Sequence, residues 1–222
     1  MLFMRKENNV KSLFITFEGP DGSGKSTQAR LLAQRLAGEG CGVLLTREPG
    51  GTPLSENVRS ILLGKEYPLA NPTEALLYAA ARAQHVEEKI KPALRRGEFV
   101  ICDRFVDSSL AYQGYGLGLP MAALEAVNEF ATGGLRPDLT ILLDIDPKEG
   151  LARARSGRGQ MDRIEERAAA FHNKVRAGFL ALSRREPGRF AVIETGKLEP
   201  GQVEALVWNS LESFRRRQTA LR

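Results

Sequence analysis

Short apolar runs alternate with amphipathic stretches along this chain. Residues 13–17, Leu-Phe-Ile-Thr-Phe, form a β-rich run that stops at Gly19. Ala29, Leu32, Ala33 and Leu36 then recur at helical spacing, and the helix they predict closes at Gly38 or Gly40. A second strand is expected over residues 42–46. The Glu48-Pro49-Gly50-Gly51 run after it is a sharp turn by its chemistry, and a cis bond before Pro49 suits it. A helix over residues 53–63 leads to a long helical stretch over 73–96, with Thr73 as its N-cap, Gly97 as its stop and Pro92 as the place for a kink or break.

Residues 99–103 read as the third strand, 120–132 as a helix closed by Gly133-Gly134, and 139–146 as the fourth strand. A helix opening at Pro147 is expected to give way to an Arg- and Gly-rich loop over 153–159. Phe171, Val175, Phe179 and Leu182 share a helical stripe, 190–194 is the last strand, and 200–214 the last helix. Short apolar strands with helices between them predict an α/β fold whose parallel sheet is covered on both faces. Such folds bind ligands at the carboxyl ends of their strands.

The 222 residues suit one domain with a substantial core. Residues 1–12 read as a short extension and 13–222 as a single domain, with no repeat or low-complexity linker. No apolar run approaches a membrane span, and the first residues lack a signal-peptide core. Cys41 and Cys102 lie beside strand-like runs and are expected as buried free thiols, which suits a cytoplasmic protein. The net charge of +5 gathers in Arg153, Arg155, Arg158 and Arg163 and in Arg215, Arg216 and Arg217. A basic excess suits nucleic acid, a membrane surface or a polyanionic small molecule. No aromatics are interleaved with residues 153–159, which argues against base stacking and a nucleic-acid partner. The triple arginine of the tail reads as a solvated helix end. His85 and His172 stand at no metal-ligand spacing and read as structural.

Chemistry changes the picture at Gly19-Pro20-Asp21-Gly22-Ser23-Gly24-Lys25-Ser26-Thr27, a full G-x-x-x-x-G-K-[ST] match between an apolar strand and an amphipathic helix. Glycines let successive backbone N–H groups turn toward phosphate oxygens, and the helix adds its positive end. Lys25 neutralises the β- and γ-phosphates of ATP, and Ser26 can ligate Mg²⁺. Asp103, closing the third strand, is the leading acid for the Mg²⁺ shell, with Asp144 as its rival. Arg104 and Arg47, also at strand ends, suit an anionic acceptor phosphate. Arginines on the 153–163 segment read as a lid that closes over the triphosphate.

Four segments together resemble the thymidylate kinase family over nearly the whole chain: residues 17–27, 46–52, 103–114 and 153–165. The third, Asp103-Arg104-Phe105-Val106-Asp107-Ser108-Ser109-Leu110-Ala111-Tyr112-Gln113-Gly114, is close to diagnostic. The resemblance implies a P-loop nucleoside monophosphate kinase fold with a five-stranded parallel sheet flanked by helices on both faces. It implies transfer of the γ-phosphoryl group of ATP to dTMP with Mg²⁺, on the way to dTTP, by a homodimer. Carried over residue by residue, Tyr78 stacks on thymine, Arg82 donates to a base carbonyl, and Ser109 and Gln113 approach the acceptor. Tyr112 crowds the ribose, and Asp21 lies near the acceptor sugar and phosphate. The family commonly has Phe where Tyr78 stands. This P-loop has no basic residue among Pro20, Asp21, Gly22 and Ser23, which resembles the bacterial arrangement with a lid arginine; Arg158 is favoured, then Arg153, with Arg155 also a candidate.

The dTMP phosphate is already anionic, so in-line transfer needs positioning and charge neutralisation rather than a strong base. A deoxynucleoside kinase would need a carboxylate base, with Glu18 or Asp103 formally available. A P-loop switch ATPase would release ADP without any acceptor.

Overall fold

The computed structural model describes residues 12–158 and 161–220, with Gly157 and Arg158 described in backbone only. Five parallel strands form one sheet in the order β2-β3-β1-β4-β5: β1 Phe14–Glu18, β2 Val43–Arg47, β3 Phe99–Asp103, β4 Leu139–Asp144 and β5 Phe190–Glu194. Each strand lies within two residues of its sequence expectation. β1 and β4 are buried along their whole lengths, as a sheet covered on both faces requires. β2 is an edge strand and only partly covered; Leu45 is exposed and Cys41, just before it, is partly buried rather than buried.

The helices are α1 Lys25–Gly38, α2 Pro53–Leu63, α3 Asn71–His85, α4 Lys91–Arg95, α5 Val106–Ser109, α6 Met121–Thr132, α7 Pro147–Arg158, α8 Ala169–Arg185 and α9 Pro200–Ala220. On one face of the sheet α1 and α9 pack through Leu32, Leu36, Val207 and Leu211 against Ile15, Phe17 and Ile101. On the other, Phe14, Val100 and Phe105 form a core with Val86 and Ile90, and Leu110, Tyr112, Val175 and Phe179 form another. Phe14 and Phe105 meet edge to face at 4.9 Å, which fastens the segment after β3 beneath the sheet.

Several boundaries differ from the sequence reading. The long helix begins at Asn71 with Pro72 in its first turn and Ala70 at the cap position, so Thr73 lies inside it. A proline there costs no hydrogen bond, because the first N–H groups of a helix have no partner to lose. Downstream, Val86–Ile90 widens into a π-helical turn before α4. Pro92 has no N–H and its ring crowds the carbonyl four residues back, and the wider turn ahead of it makes room. Residues 106–116, to which the sequence reading assigned no element, are helical, α5 running on into the π-helical Leu110–Gly116. α7 continues through the expected Arg-Gly loop to Arg158. α9 runs to Ala220, so Arg215 is not a solvated helix end: its guanidinium lies over the rings of Phe99 and Trp208 and pairs with Glu212.

Candidate active site

Strand register brings the functional residues to one end of the sheet. Phe17 pairs with Asp103 and Arg47 with Asp103, so β1, β2 and β3 finish together. The chain leaves β1 for β2 on one side and later leaves β3 for β4 on the other, so the strand order reverses between β1 and β3, the switch point where such sheets open a crevice. A cavity of about 550 Å³ lies there. Its lining includes Asp21, Lys25, Ser26, Thr27, Arg47, Tyr78, Arg82, Asp103, Arg104, Ser109, Tyr112, Gln113 and Arg153. The structure thus gathers in one place nearly every side chain that the sequence singled out.

Beside the Gly19–Ser26 loop, Lys25 opens α1 and is almost fully buried. Its Nζ donates to the Pro20 carbonyl at 2.7 Å and lies 3.4 Å from Ser23 Oγ. Burial, and then the Arg104 charge, push the ammonium down to about 8. Ser26 Oγ donates to Asp103 Oδ2, so a hydroxyl and a carboxylate oxygen sit side by side at the cavity wall. These are the hard oxygen donors that Mg²⁺ takes from protein while phosphates supply the rest, so the residues fit that ion. Gly22 has φ +73°, and a Cβ there would lie 1.9 Å from the Gly150 carbonyl oxygen. A Cβ on Gly150 would in turn lie 2.2 Å from the Asp21 carbonyl oxygen. The phosphate loop and the first turn of α7 are seated backbone to backbone, with no space for a side chain on either.

Asp144, the rival acid, is spoken for. Arg176 of α8 grips both its oxygens, at 2.8 and 2.7 Å.

Arg104 links the two ends of the cavity. Its Nη2 donates to Asp21 Oδ1 at 2.5 Å and to the Tyr112 hydroxyl at 3.2 Å, while that hydroxyl donates to Asp21 Oδ2 at 2.8 Å. Its Nη1 donates to the Gly19 carbonyl and Ser108 Oγ, both at 3.1 Å. Burial raises the Asp21 carboxyl, but the charges of Arg104 and Lys25 outweigh it and the group is held below its usual value. Burial alone would lower Arg104; Tyr112, Asp21, Asp103 and Glu18 together raise it. Arg104 has φ 72°, a left-handed conformation that costs a non-glycine residue about 1 kcal/mol, and it is fixed there by its N–H donating to the Phe17 carbonyl at 2.9 Å.

Glu18 is not at the cavity. Fully buried behind Arg104, it accepts from the Phe105 N–H at 2.7 Å and Ser108 Oγ at 2.6 Å, and burial with the nearby Asp107 charge pushes it up to about 8. It therefore holds the Asp103–Ser109 turn and cannot serve as a base. Arg82 is buried and engaged by Glu48, Ser109, Asn128 and the Phe105 carbonyl. Tyr78, one turn earlier on α3, lines the cavity, and burial pushes its phenol above the usual range. Gln113 donates to Glu74 at 2.9 Å. The bond before Pro49 is cis.

Of the arginines expected on the lid, Arg153 donates to Glu149, to the Gly196 carbonyl and to the Thr195 carbonyl, so it ties α7 to the loop after β5. Arg155 is exposed and approaches Met161 Sδ. The side chain of Arg158 lies outside the described residues. Arg163 does not line the cavity and pairs with Glu74 at 2.7 Å beside Arg167 at 2.6 Å.

Sequence reasoning missed Arg59, Glu48, Glu74 and Asp162. Arg59 lines the cavity and donates to the Pro49 carbonyl at 2.8 Å; burial and then Arg47 lower it. The one available signal was the spacing of Glu74, Tyr78 and Arg82, which puts all three on one helix face. Arg47 is exposed and paired with Glu56 at 3.1 Å.

Comparison with known proteins agrees with this geometry. The family model described as Thymidylate kinase matches residues 17–206. The chain is 50% identical over 206 residues to the thymidylate kinase of Thermomicrobium roseum, covering 93% of this chain and 97% of that one. It is 54% identical over 192 residues to the thymidylate kinase of Pelotomaculum thermopropionicum, covering 86% and 88%. The crystal structure of thymidylate kinase from Ehrlichia chaffeensis superposes with a TM-score of 0.75 at 38% identity, over 90% of this chain and 98% of that one.

Proposed function

The chain belongs to the thymidylate kinase family and moves the γ-phosphoryl group of ATP to dTMP, giving dTDP; we propose the following division of that work among its residues. The Arg104–Asp21–Tyr112 ring carries the reading, because it fastens the phosphate loop directly to the acceptor segment inside one cavity. Gly19 to Thr27 cradle the triphosphate with backbone N–H groups, and Lys25 meets the β- and γ-phosphates. Ser26 and Asp103 would hold Mg²⁺, which when bound neutralises charge on those phosphates.

Arg104 aligns the acceptor phosphate, with Arg47 and Arg59 adding positive charge at the same wall. Tyr78 stacks on the thymine ring, and Arg82, with Ser109 and Gln113 nearby, reads its edge. Tyr112 closes off the space beside the sugar. The attacking phosphate oxygen is already an anion, so no side chain has to remove a proton from it. Residues 153–163 act as the lid of a single domain, with Arg158 or Arg153 stabilising the transferring group. The free thiols Cys41 and Cys102 suit a reducing cytoplasm. Exposed Leu54 and Ile61 on α2, Leu76 on α3 and Phe130 on α6 support a homodimer built on those helices.

The test is acceptor-dependent ADP release with dTMP, dUMP, dCMP, dGMP and thymidine. Release with dTMP far above the others is expected, and the Lys25→Ala chain should lose about a thousandfold in kcat while keeping its circular dichroism. Equal release with and without acceptor would point to a switch ATPase instead.

A further inference from the structure

His85 is fully buried at the end of α3, and phosphoryl transfer does not use it. Its Nδ1 lies 3.0 Å from Glu48 Oε1 and its Nε2 lies 2.7 Å from Thr46 Oγ1. Glu48 accepts from Arg82 Nε through its other oxygen at 2.7 Å. A carboxylate paired with a guanidinium needs a donor at Oε1, so Nδ1 carries the imidazole proton and Nε2 accepts from the Thr46 hydroxyl. Donation then runs from Thr46 to His85 to Glu48, where Arg82 also donates. Gly51, at φ +85°, closes the ring in: a Cβ there would lie 2.6 Å from His85 Nε2 and 2.8 Å from Thr46 Oγ1.

Arg82 has five N–H donors. Nε donates to Glu48, Nη1 to Ser109 and Asn128, and Nη2 to the Phe105 carbonyl. One Nη2–H is left over on a side chain that lines the cavity. A guanidinium only donates, so the base edge it meets must present an acceptor, such as a carbonyl oxygen, and not an amino group.

We propose that His85 is a positioning residue for base recognition. It fixes Glu48, Glu48 fixes Arg82 through Nε, and the remaining Nη2–H is thereby aimed at a pyrimidine carbonyl. This rests on the reading that Arg82 meets the base.

Steady-state kinetics of the full chain test it, with Arg82→Ala as reference. In His85→Asn the amide nitrogen falls near the place of Nδ1 and keeps the donor to Glu48. In His85→Gln it falls near Nε2, and Glu48 Oε1 loses its donor. His85→Gln is expected to raise KM for dTMP about tenfold, with kcat within about threefold and KM for ATP unchanged. It also narrows the preference for dTMP over 5-methyl-dCMP, which has an amino group in place of one carbonyl. His85→Asn recovers most of both. A His85→Gln chain with the parent KM and preference, or Gln and Asn chains equally impaired toward both substrates, overturns the positioning role while Arg82→Ala still raises KM for dTMP. If Arg82→Ala leaves that KM unchanged, the Arg82 reading fails and takes the proposal with it. Should the His85 variants not fold, Thr46→Val carries the same test: a smaller rise in dTMP KM supports the proposal, and no rise overturns it.

Discussion

Burial and the neighbouring Arg104 guanidinium hold Lys25 at about 8, well below a free lysine. A triphosphate favours the protonated form. Nucleotide affinity should therefore be level below pH 8 and fall about tenfold per pH unit above it, because binding then has to take up a proton. Calorimetry at pH 9 in two buffers of different ionisation enthalpy should register uptake approaching one proton; no uptake would mean that the nucleotide does not meet this ammonium. Glu18 shows the opposite use of a charge-bearing group. At about 8 it is largely protonated at neutral pH, and what it supplies is a buried anchor for the Phe105 N–H and Ser108. Its place at the end of β1 was readable in the sequence, but its direction was not: a strand end says which residue comes next to the crevice, not which of the two faces it turns to. Arg104 was readable in type and place, whereas its left-handed backbone depends on contacts with Gly19, Asp21 and Phe17 that are remote in sequence.

Helix α3 carries Glu74, Tyr78, Arg82 and His85 along one side, and each does something different. Glu74 is fully buried and takes Gln113 on one oxygen and Arg163 and Arg167 on the other, which pins the segment between α7 and α8 to the helix proposed to read the base. Glu74→Leu leaves both arginines without their partner. A fully buried pair so broken costs about 3–5 kcal/mol, and because both arginines reach solvent the expected loss is about 2 kcal/mol. Urea denaturation measures it, and an unchanged midpoint would show that the cluster adds nothing to stability. The strands were legible because short apolar runs between glycines admit few alternatives, and Phe99–Asp103 and Phe190–Glu194 fall where the pattern put them. Helices were legible where an apolar stripe drives them. They were not where tertiary contacts decide: Leu110–Gly116 is held by α8 through Tyr112, Phe171 and Phe179. α7 keeps its turns through Gly157 despite the cost of glycine in a helix. The phosphate cradle was legible because its chemistry is contiguous; Glu48, Glu74 and Arg59 were not, because each matters only through partners brought from other elements.

At the scale of the whole molecule, the sheet order puts β1 at the centre and every proposed substrate contact at one end, leaving the sides of the molecule free for other contacts. Among the described residues no helix is long and apolar enough to cross a membrane. Phe130 on α6 is 91% exposed, Leu76 on α3, a helix that packs against α6, is exposed as well, and one chain alone leaves both side chains largely uncovered. If the proposed homodimer is built on these helices, Leu76→Asp with Phe130→Asp is expected to halve the mass seen by light scattering; an unchanged mass would place the contact between chains elsewhere or show that there is none. The glycine seat between the phosphate loop and α7 has a mechanical consequence. With Gly22 and Gly150 in backbone contact, that end of α7 acts as a fulcrum, unable to slide without the loop that would hold the triphosphate. Arg158 stands eight residues further on, about 12 Å along the helix axis, so a tilt of about 10° at the fulcrum swings it by about 2 Å. If Arg158 has the lid role proposed for it, such a lever would convert a slight settling of the loop around a nucleotide into the difference between an arginine that touches the travelling phosphoryl group and one that falls short of it.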